Sequence, residues 1–168
     1  MSARLHRLER QQTIPRPRAE VFAFFADAAN LQLLTPAFLN FRIVTPLPIV
    51  MAVGTRIDYA LNLFGLPLKW WTKITEWQPW FSFVDEQEAG PYARWRHTHR
   101  FETAAGQMVM HDLVEYAEPF GAVGLIANKL VVKRTLDRIF DYRREATARF
   151  FSAQPNPLMS LAPGEHHA

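Results

Sequence analysis

Between residues 41 and 118 turn residues divide the chain into six β-rich runs, and no other feature restricts the fold as strongly. The runs are Phe41 to Ile43, Thr55 to Leu63, Leu66 to Trp77, Phe81 to Gln87, Tyr92 to Glu102 and Gln107 to Glu118. Pro46 to Gly54, Gly65, Pro79, Gly90-Pro91 and Ala104 to Gly106 separate them. Connections this short join antiparallel neighbours, so the segment is predicted to be an antiparallel meander. Ahead of it, Leu5 to Ile14 reads as a strand, and Pro15 and Pro17 as a turn into a helix. Val21, Phe22, Phe24 and Phe25 then fall at helical spacing; after Asp27 to Asn30, Leu31, Leu33 and Leu34 make a second short helix closed by Thr35-Pro36. Beyond Pro119 and Gly121, residues 122 to about 151 contain no Pro and only Gly124, which predicts one helix of about 30 residues. The order is that of an α+β protein. Residues 1–152 are expected to form one domain, and the Pro-rich 153–168 a flexible tail.

The hairpin of residues 92–118 carries the most chemistry. Trp95, His97, His99 and Phe101 share one face of its first strand, and Arg94, Arg96, Thr98 and Arg100 the other, the alternation of a sheet with one buried side. On the returning strand Met108, Met110, Asp112, Val114 and Tyr116 form the matching inward set. A four-residue turn at Thr103 to Gly106 sets His97 opposite Asp112, Trp95 opposite Val114 and, on the solvent face, Arg94 opposite Glu115. On the long helix Leu125, Val132, Leu136, Ile139, Phe140, Ala146 and Phe150 converge on one stripe. Arg134, Arg138, Asp141, Glu145 and Arg149 cluster on the other side. Two cations interrupt the apolar stripe. Lys129 lies near the helix start, where its stem can snorkel; Arg143 lies close to the centre line and needs an acceptor, which Asp112 or Asp85 can supply.

Composition removes several function classes. There is no cysteine among the 168 residues, which excludes disulfides, thiolate nucleophiles and cysteine-ligated metals. The formal charge of +3 is too small for a nucleic-acid footprint. The opening Met1 to Gln12 lacks the apolar core of a secretory signal, and no run approaches the roughly 20 apolar residues that cross a bilayer. A Gly-rich phosphate loop, a Gly-x-Ser-x-Gly elbow and a His-Glu-x-x-His pair are all missing from the sequence. A cytoplasmic protein is expected, with neither nucleic acid nor stable membrane insertion among its partners; nothing in the chain names a protein partner.

Three local patterns carry a family resemblance. The first is Pro15, Pro17, Ala19, Glu20, Val21, Phe22, Phe24, Phe25, Asp27, Asn30 and Leu31 at the strand-to-helix junction. The second runs Gly90, Pro91, Tyr92, Trp95, His97, His99, Phe101, and the third is Arg138 to Arg143 on the last helix. With the element order, these resemble the START/Bet v 1-like (SRPBCC) superfamily, and within it the polyketide cyclase/dehydrase-like and coenzyme Q-binding-type bacterial proteins. The resemblance covers about residues 3 to 151. It implies a helix-grip fold: a curved seven-stranded antiparallel sheet around the long C-terminal helix, with two short helices after strand 1 and a cavity between sheet and helix for a hydrophobic small molecule.

On that reading the cavity is lined by Tyr59, Trp70, Trp95, His97, His99, Phe101, Met108, Met110, Asp112, Tyr116, Leu136 and Arg143. The 5 Trp, 13 Phe, 4 Tyr and 5 Met give the chain ample apolar bulk either to line such a space or to fill it. The first function expected is binding of a hydrophobic or aromatic molecule with one polar end. An alternative is a cyclase, dehydratase or isomerase in which Asp112 orients His97 as a general base, with Arg143 or Tyr116 beside a developing oxyanion. A second alternative is a lipid or quinone chaperone, with the apolar Pro46 to Met51 loop as a lid. His97, His99 and Asp112 also make a two-His, one-carboxylate set, but the third ligand must reach across the ladder, and the expectation is no metal and no cofactor. His166 and His167 in the tail are read as solvated.

Overall fold

The computed structural model describes residues 4–63, 65–118 and 125–154, with only the backbone of 125–130. Lys129 and Leu125 as side chains, the helix start at 122–124 and nearly all of the Pro-rich tail lie outside the described residues. Strand β1 (His6–Ile14) leads through Pro15 and Pro17 into helix α1 (Arg18–Ala26), followed by two short 3₁₀ helices, Ala28–Gln32 and Ala37–Leu39. Strands β2 (Arg42–Ile43), β3 (Arg56–Leu63), β4 (Leu66–Gln78), β5 (Ser82–Ala89), β6 (Arg94–Ala104) and β7 (Gln107–Ala117) come next, and helix α2 (Leu125–Ala153) follows. All pairings are antiparallel, in the seven-stranded order β1-β7-β6-β5-β4-β3-β2, so the first strand closes the sheet against the last. Register shifts in β4 at Trp71/Thr72 and Ile74/Glu76 bend the longest strand, as β-bulges do.

The predicted faces hold, but the predicted register does not. His99 stands opposite Asp112, His97 opposite Val114, Trp95 opposite Tyr116 and Phe101 opposite Met110. The hairpin is two residues tighter than the expected four-residue turn, because Ala105 and Gly106 both take positive φ (49° and 76°), as in a two-residue I′ turn. An Ala in that position gives no sequence signal, since L-residues with a Cβ rarely go there. A shift of two keeps every side chain on its expected face. It also replaces the solvent-side partner of Glu115: Arg96, not Arg94, stands opposite it. Arg96 is half-buried among Glu76, Glu86 and Glu115 rather than freely solvated.

The two helices cover different ends of the concave face. Val21, Phe22, Phe24 and Phe25 of α1 are all buried, joined with Ile14, Phe83, Phe101, Met108 and Met110 in one core cluster. The stripe of α2 is dry as predicted at Val132, Leu136, Phe140 and Ala146, and Phe150 is half-buried; Arg134, Arg138, Asp141, Glu145 and Arg149 are exposed. Polar ties fix the helix to β1. Arg10 donates to Asp137 at 2.6 Å and Gln12 to the Arg144 carbonyl at 3.0 Å. Arg16, buried beside Glu20, donates to the carbonyls of Phe151 and Gln154 at the end of α2. Those carbonyls have no partner within the helix, so the guanidinium caps a terminus that water would otherwise serve.

Candidate functional site

A bent sheet and a single helix cannot meet everywhere, and where α1 stops covering the sheet a cavity of about 180 Å³ remains. That is about ten times the ~15 Å³ needed by one water, so the space suits an organic molecule. Its walls are Ile57, Tyr59, Leu61 and Leu63 of β3, Trp70, Thr72 and Ile74 of β4, Phe83 and Asp85 of β5, and Trp95, His97 and His99 of β6. Leu136, Ile139, Phe140 and Arg143 of α2 face them, and the 3₁₀ segment and adjoining loop contribute Leu34, Leu39, Phe41 and Met51. Met51 thus gives the Pro46 to Met51 loop a place in the wall, while Leu47 and Val50 of the same loop are exposed.

Of the twelve residues expected around the cavity, Tyr59, Trp70, Trp95, His97, His99, Leu136 and Arg143 line it. Phe101, Met108 and Met110 do not. Successive same-face residues on a strand are about 7 Å apart, and one such step beyond His99 brings Phe101 under α1, with its ring 5.3 Å from Phe22 and 5.9 Å from Phe25. Tyr116 is also core, packed with Leu8, Tyr92, Val114 and Leu136. Asp112 lies behind the two histidines, not on the wall, and meets a cavity ligand only through them. Several wall residues lie outside the expected lining, among them Ile57, Leu61, Ile74 and Phe83, and the charged one is Asp85, which the sequence offers only as a partner for Arg143. Its signal is the alternation Phe83, Asp85 on β5, which becomes legible once Phe83 pairs with His99 and Asp85 with His97.

Two carboxylates and two imidazoles form a closed four-membered cluster on this wall. His97 Nε2 is 2.9 Å from Asp112 Oδ1 and its Nδ1 is 3.6 Å from Asp85 Oδ2. His99 Nε2 is 3.0 Å from Asp85 Oδ2 and its Nδ1 is 3.0 Å from Asp112 Oδ1. The imidazole rings lie 3.8 Å apart, with Phe83 stacked on His99 at 4.2 Å and Phe140 edge-on to His97 at 5.4 Å. Arg143 reaches in from α2, its Nε 3.6 Å from Asp112 Oδ2 and its Nη2 3.4 Å from His99 Nδ1. Asp112 is therefore the carboxylate that pairs with Arg143, as an ion pair in which the buried Nε makes no hydrogen bond among the described residues. The expected His97 to Asp112 hydrogen bond is present, made along a diagonal of the ladder rather than straight across it.

Electrostatics follow from this packing. Burial disfavours the ionised form of Asp112, but Arg143 and the hydrogen bonds from His97 and His99 outweigh it and hold the carboxyl well below its ordinary range. Asp85 is likewise held low: the hydrogen bond from His99 and the charges of His97, His99 and Arg143 overcome burial. Burial, with His99 alongside, lowers His97 despite its two carboxylate neighbours, so the ring is neutral near pH 7. Burial raises the Tyr59 and Tyr92 phenols, which stay protonated as hydrogen-bond donors.

No protein-family model matches the chain, and no curated protein matches it. Solved structures do. The Zhui aromatase/cyclase from Streptomyces sp. R1128 superposes with a TM-score of 0.68 at 14% identity, covering 89% of this chain and 94% of its own. TTHA0849 from Thermus thermophilus gives 0.66 at 16% identity over 86% of this chain and 98% of its own. Ara h 8.0201 gives 0.60 at 16% over 89% and 99%. The chain has the helix-grip fold. The expected Bet v 1-like architecture, with short helices after the first strand and the long helix gripped by the sheet, is borne out. Among the described residues no helix of this helix-grip chain is long and apolar enough to cross a membrane.

Proposed function

We propose that this helix-grip domain binds one hydrophobic or aromatic small molecule in the cavity, with a polar end directed at His97, His99 and Asp85. The observation that carries the reading is the composition of the wall. It is apolar around most of its circumference, and its charged groups meet at one place, where the imidazoles, Asp85 and Arg143 come together with Asp112 behind the rings. Sites for small molecules have this form: apolar area supplies affinity and a few fixed polar groups supply orientation. Trp70, Tyr92 and Trp95 stand with ring centroids 4.9 to 5.6 Å apart and offer flat surfaces to an aromatic ligand. The structural neighbours, one of them an aromatase/cyclase, support a ligand-binding fold.

The test uses a neutral fluorescent probe, N-phenyl-1-naphthylamine. The wild-type chain is expected to bind it saturably, one per chain, with blue-shifted emission. Ala28→Phe, which puts a ring into the lining, is expected to weaken binding roughly tenfold or more while the cooperative unfolding transition persists. Absence of saturable binding, or a filled variant that binds as before, overturns the reading.

One observation favours a second reading, catalysis. His97 lines the cavity with its Nε2 2.9 Å from Asp112 and its Nδ1 3.6 Å from Asp85, and an imidazole held by carboxylates in this way suits a general base for proton abstraction beside a carbonyl. A catalyst loses turnover in His97→Ala; a receptor only changes affinity.

A further inference from the structure

The histidine cluster packs its ring nitrogens against carboxylate oxygens at short range. All four ring nitrogens of His97 and His99 lie 2.9 to 3.6 Å from a carboxylate oxygen. Asp85 and Asp112 bring two carboxylates to the two rings, and Arg143 stands within ion-pair distance of Asp112. Imidazole nitrogens and a carboxylate oxygen converging in this way are donors that suit a cation.

We propose that Asp85, His97 and His99 form a binding site for one divalent first-row transition-metal ion. The donor atoms are Asp85 Oδ2, His97 Nδ1 and His99 Nε2, all within 4.8 Å of one another. A metal with bonds of about 2.1 Å spaces its ligands about 3.0 Å apart at right angles and about 3.4 Å in a tetrahedron. Two of the three spacings bracket those values, the Asp85 oxygen lying 3.0 Å from His99 Nε2 and 3.6 Å from His97 Nδ1, and the two nitrogens stand within 4.8 Å of each other. The outer groups fit as well. Once these two nitrogens bind, the remaining ones, His97 Nε2 and His99 Nδ1, stand 2.9 and 3.0 Å from the same Asp112 oxygen and donate to it. One carboxylate thereby fixes both rings, as carboxylates behind metal-bound histidines do, and Arg143 holds that carboxylate from α2. Two imidazoles and one carboxylate suit zinc, iron(II), cobalt(II) or manganese(II) rather than calcium or magnesium, whose ligands are mostly oxygen. All three ligands line the cavity, so the open coordination positions face the space where an organic molecule would lie. In this proposal Asp85 takes the ligand position that Asp112 has in the sequence set of His97, His99 and Asp112, and the expectation of no metal is replaced.

The inference does not rest on the ligand-binding proposal, and its test uses metal ions alone. Full-length protein, stripped by chelator and dialysed, is titrated with Zn²⁺ by calorimetry and with Co²⁺ by visible absorption. One equivalent per chain is expected with micromolar affinity or tighter. His97→Ala and His99→Gln are expected to weaken binding by roughly a hundredfold or more, and Asp112→Asn by roughly 10- to 100-fold, the range for an outer-shell partner. His166→Ala/His167→Ala, which removes the tail pair, is expected to change nothing. Should the ligand variants fail to fold, the proton spectrum of the Co²⁺-loaded wild type decides, because two coordinated imidazoles give strongly shifted exchangeable N–H resonances. No binding, binding lost only with the tail pair, binding undiminished in folded His97→Ala, or no shifted imidazole resonances would each overturn the site.

Discussion

His97 Nε2 and Asp112 Oδ1 lie 2.9 Å apart across strands β6 and β7, although the residue paired with His97 in the ladder is Val114. The bond runs diagonally because Asp112, opposite His99, is shared between both rings, and Arg143 closes on it from the helix. Asp112 thus joins the sheet to α2 electrostatically within a mostly apolar contact, as Arg10 and Asp137 do where solvent reaches.

Removing that carboxylate leaves the Arg143 guanidinium without its ion-pair partner and the two imidazoles with Asp85 alone. Asp112→Ala is expected to lose about 3 to 5 kcal/mol of stability at pH 7, the usual result of deleting one partner of a buried ion pair. Asp112→Asn, which keeps the shape, should lose less. Urea unfolding of the three proteins checks both; a loss below about 1 kcal/mol for Asp112→Ala would show that Arg143 finds another partner.

Arg16 holds the far end of α2. Its guanidinium replaces water at the Phe151 and Gln154 carbonyls and pairs with Glu20 at 3.3 Å. Charge-assisted hydrogen bonds of this kind contribute about 1.5 to 3 kcal/mol each, so Arg16→Ala is expected to destabilise the domain by roughly 2 to 4 kcal/mol. Amide exchange should rise first in the last turns of α2; uniform exchange along the helix would contradict the capping role.

The β6–β7 turn offers a gain. Ala105 holds φ at 49°, a region that Asn enters at lower cost. Ala105→Asn is expected to raise stability by about 0.5 to 1 kcal/mol, visible as a higher thermal midpoint. A lower midpoint would mean that the turn is not of the I′ kind.

How far the sequence reads depends on which interactions are local. Strand faces and the α2 stripe are legible because period-2 and period-3.6 patterns belong to each segment alone, as at Trp95 to Phe101 and Val132 to Ala146. The hairpin register is not, because the two-residue turn rests on a left-handed alanine that no propensity favours. Placement along a strand fails for a related reason: His99 and Phe101 share a face, but only the position of α1 decides that the first lines the cavity and the second is core. Asp85 comes from a strand outside the hairpin, and its pairing with His97 is a long-range fact.

Asp137 gives a pH effect whose sign is fixed. Lys133 first, then Arg10, hold its carboxyl below the ordinary value. A carboxyl lowered on folding stabilises the native state above its unfolded pKa of about 3.9, and that contribution disappears as pH falls through the lowered value. The clasp is partly solvated, so about 0.5 kcal/mol or less is expected. The stability gap between wild type and Asp137→Asn, taken from urea curves, should be present at neutral pH and close in acid; a gap that widens on acidification would contradict the assignment.

The hollow between sheet and helix is tested most directly by the five tryptophan indoles, watched by ¹H–¹⁵N NMR as N-phenyl-1-naphthylamine is added. Trp70 and Trp95 line the cavity, whereas Trp71 and Trp80 are exposed and Trp77 packs against the α1 core. Occupation of the cavity predicts that the Trp70 and Trp95 indole N–H resonances shift saturably at one probe per chain while those of Trp71 and Trp80 stay in place. Shifts confined to Trp71 and Trp80, with Trp70 and Trp95 unmoved, would contradict it.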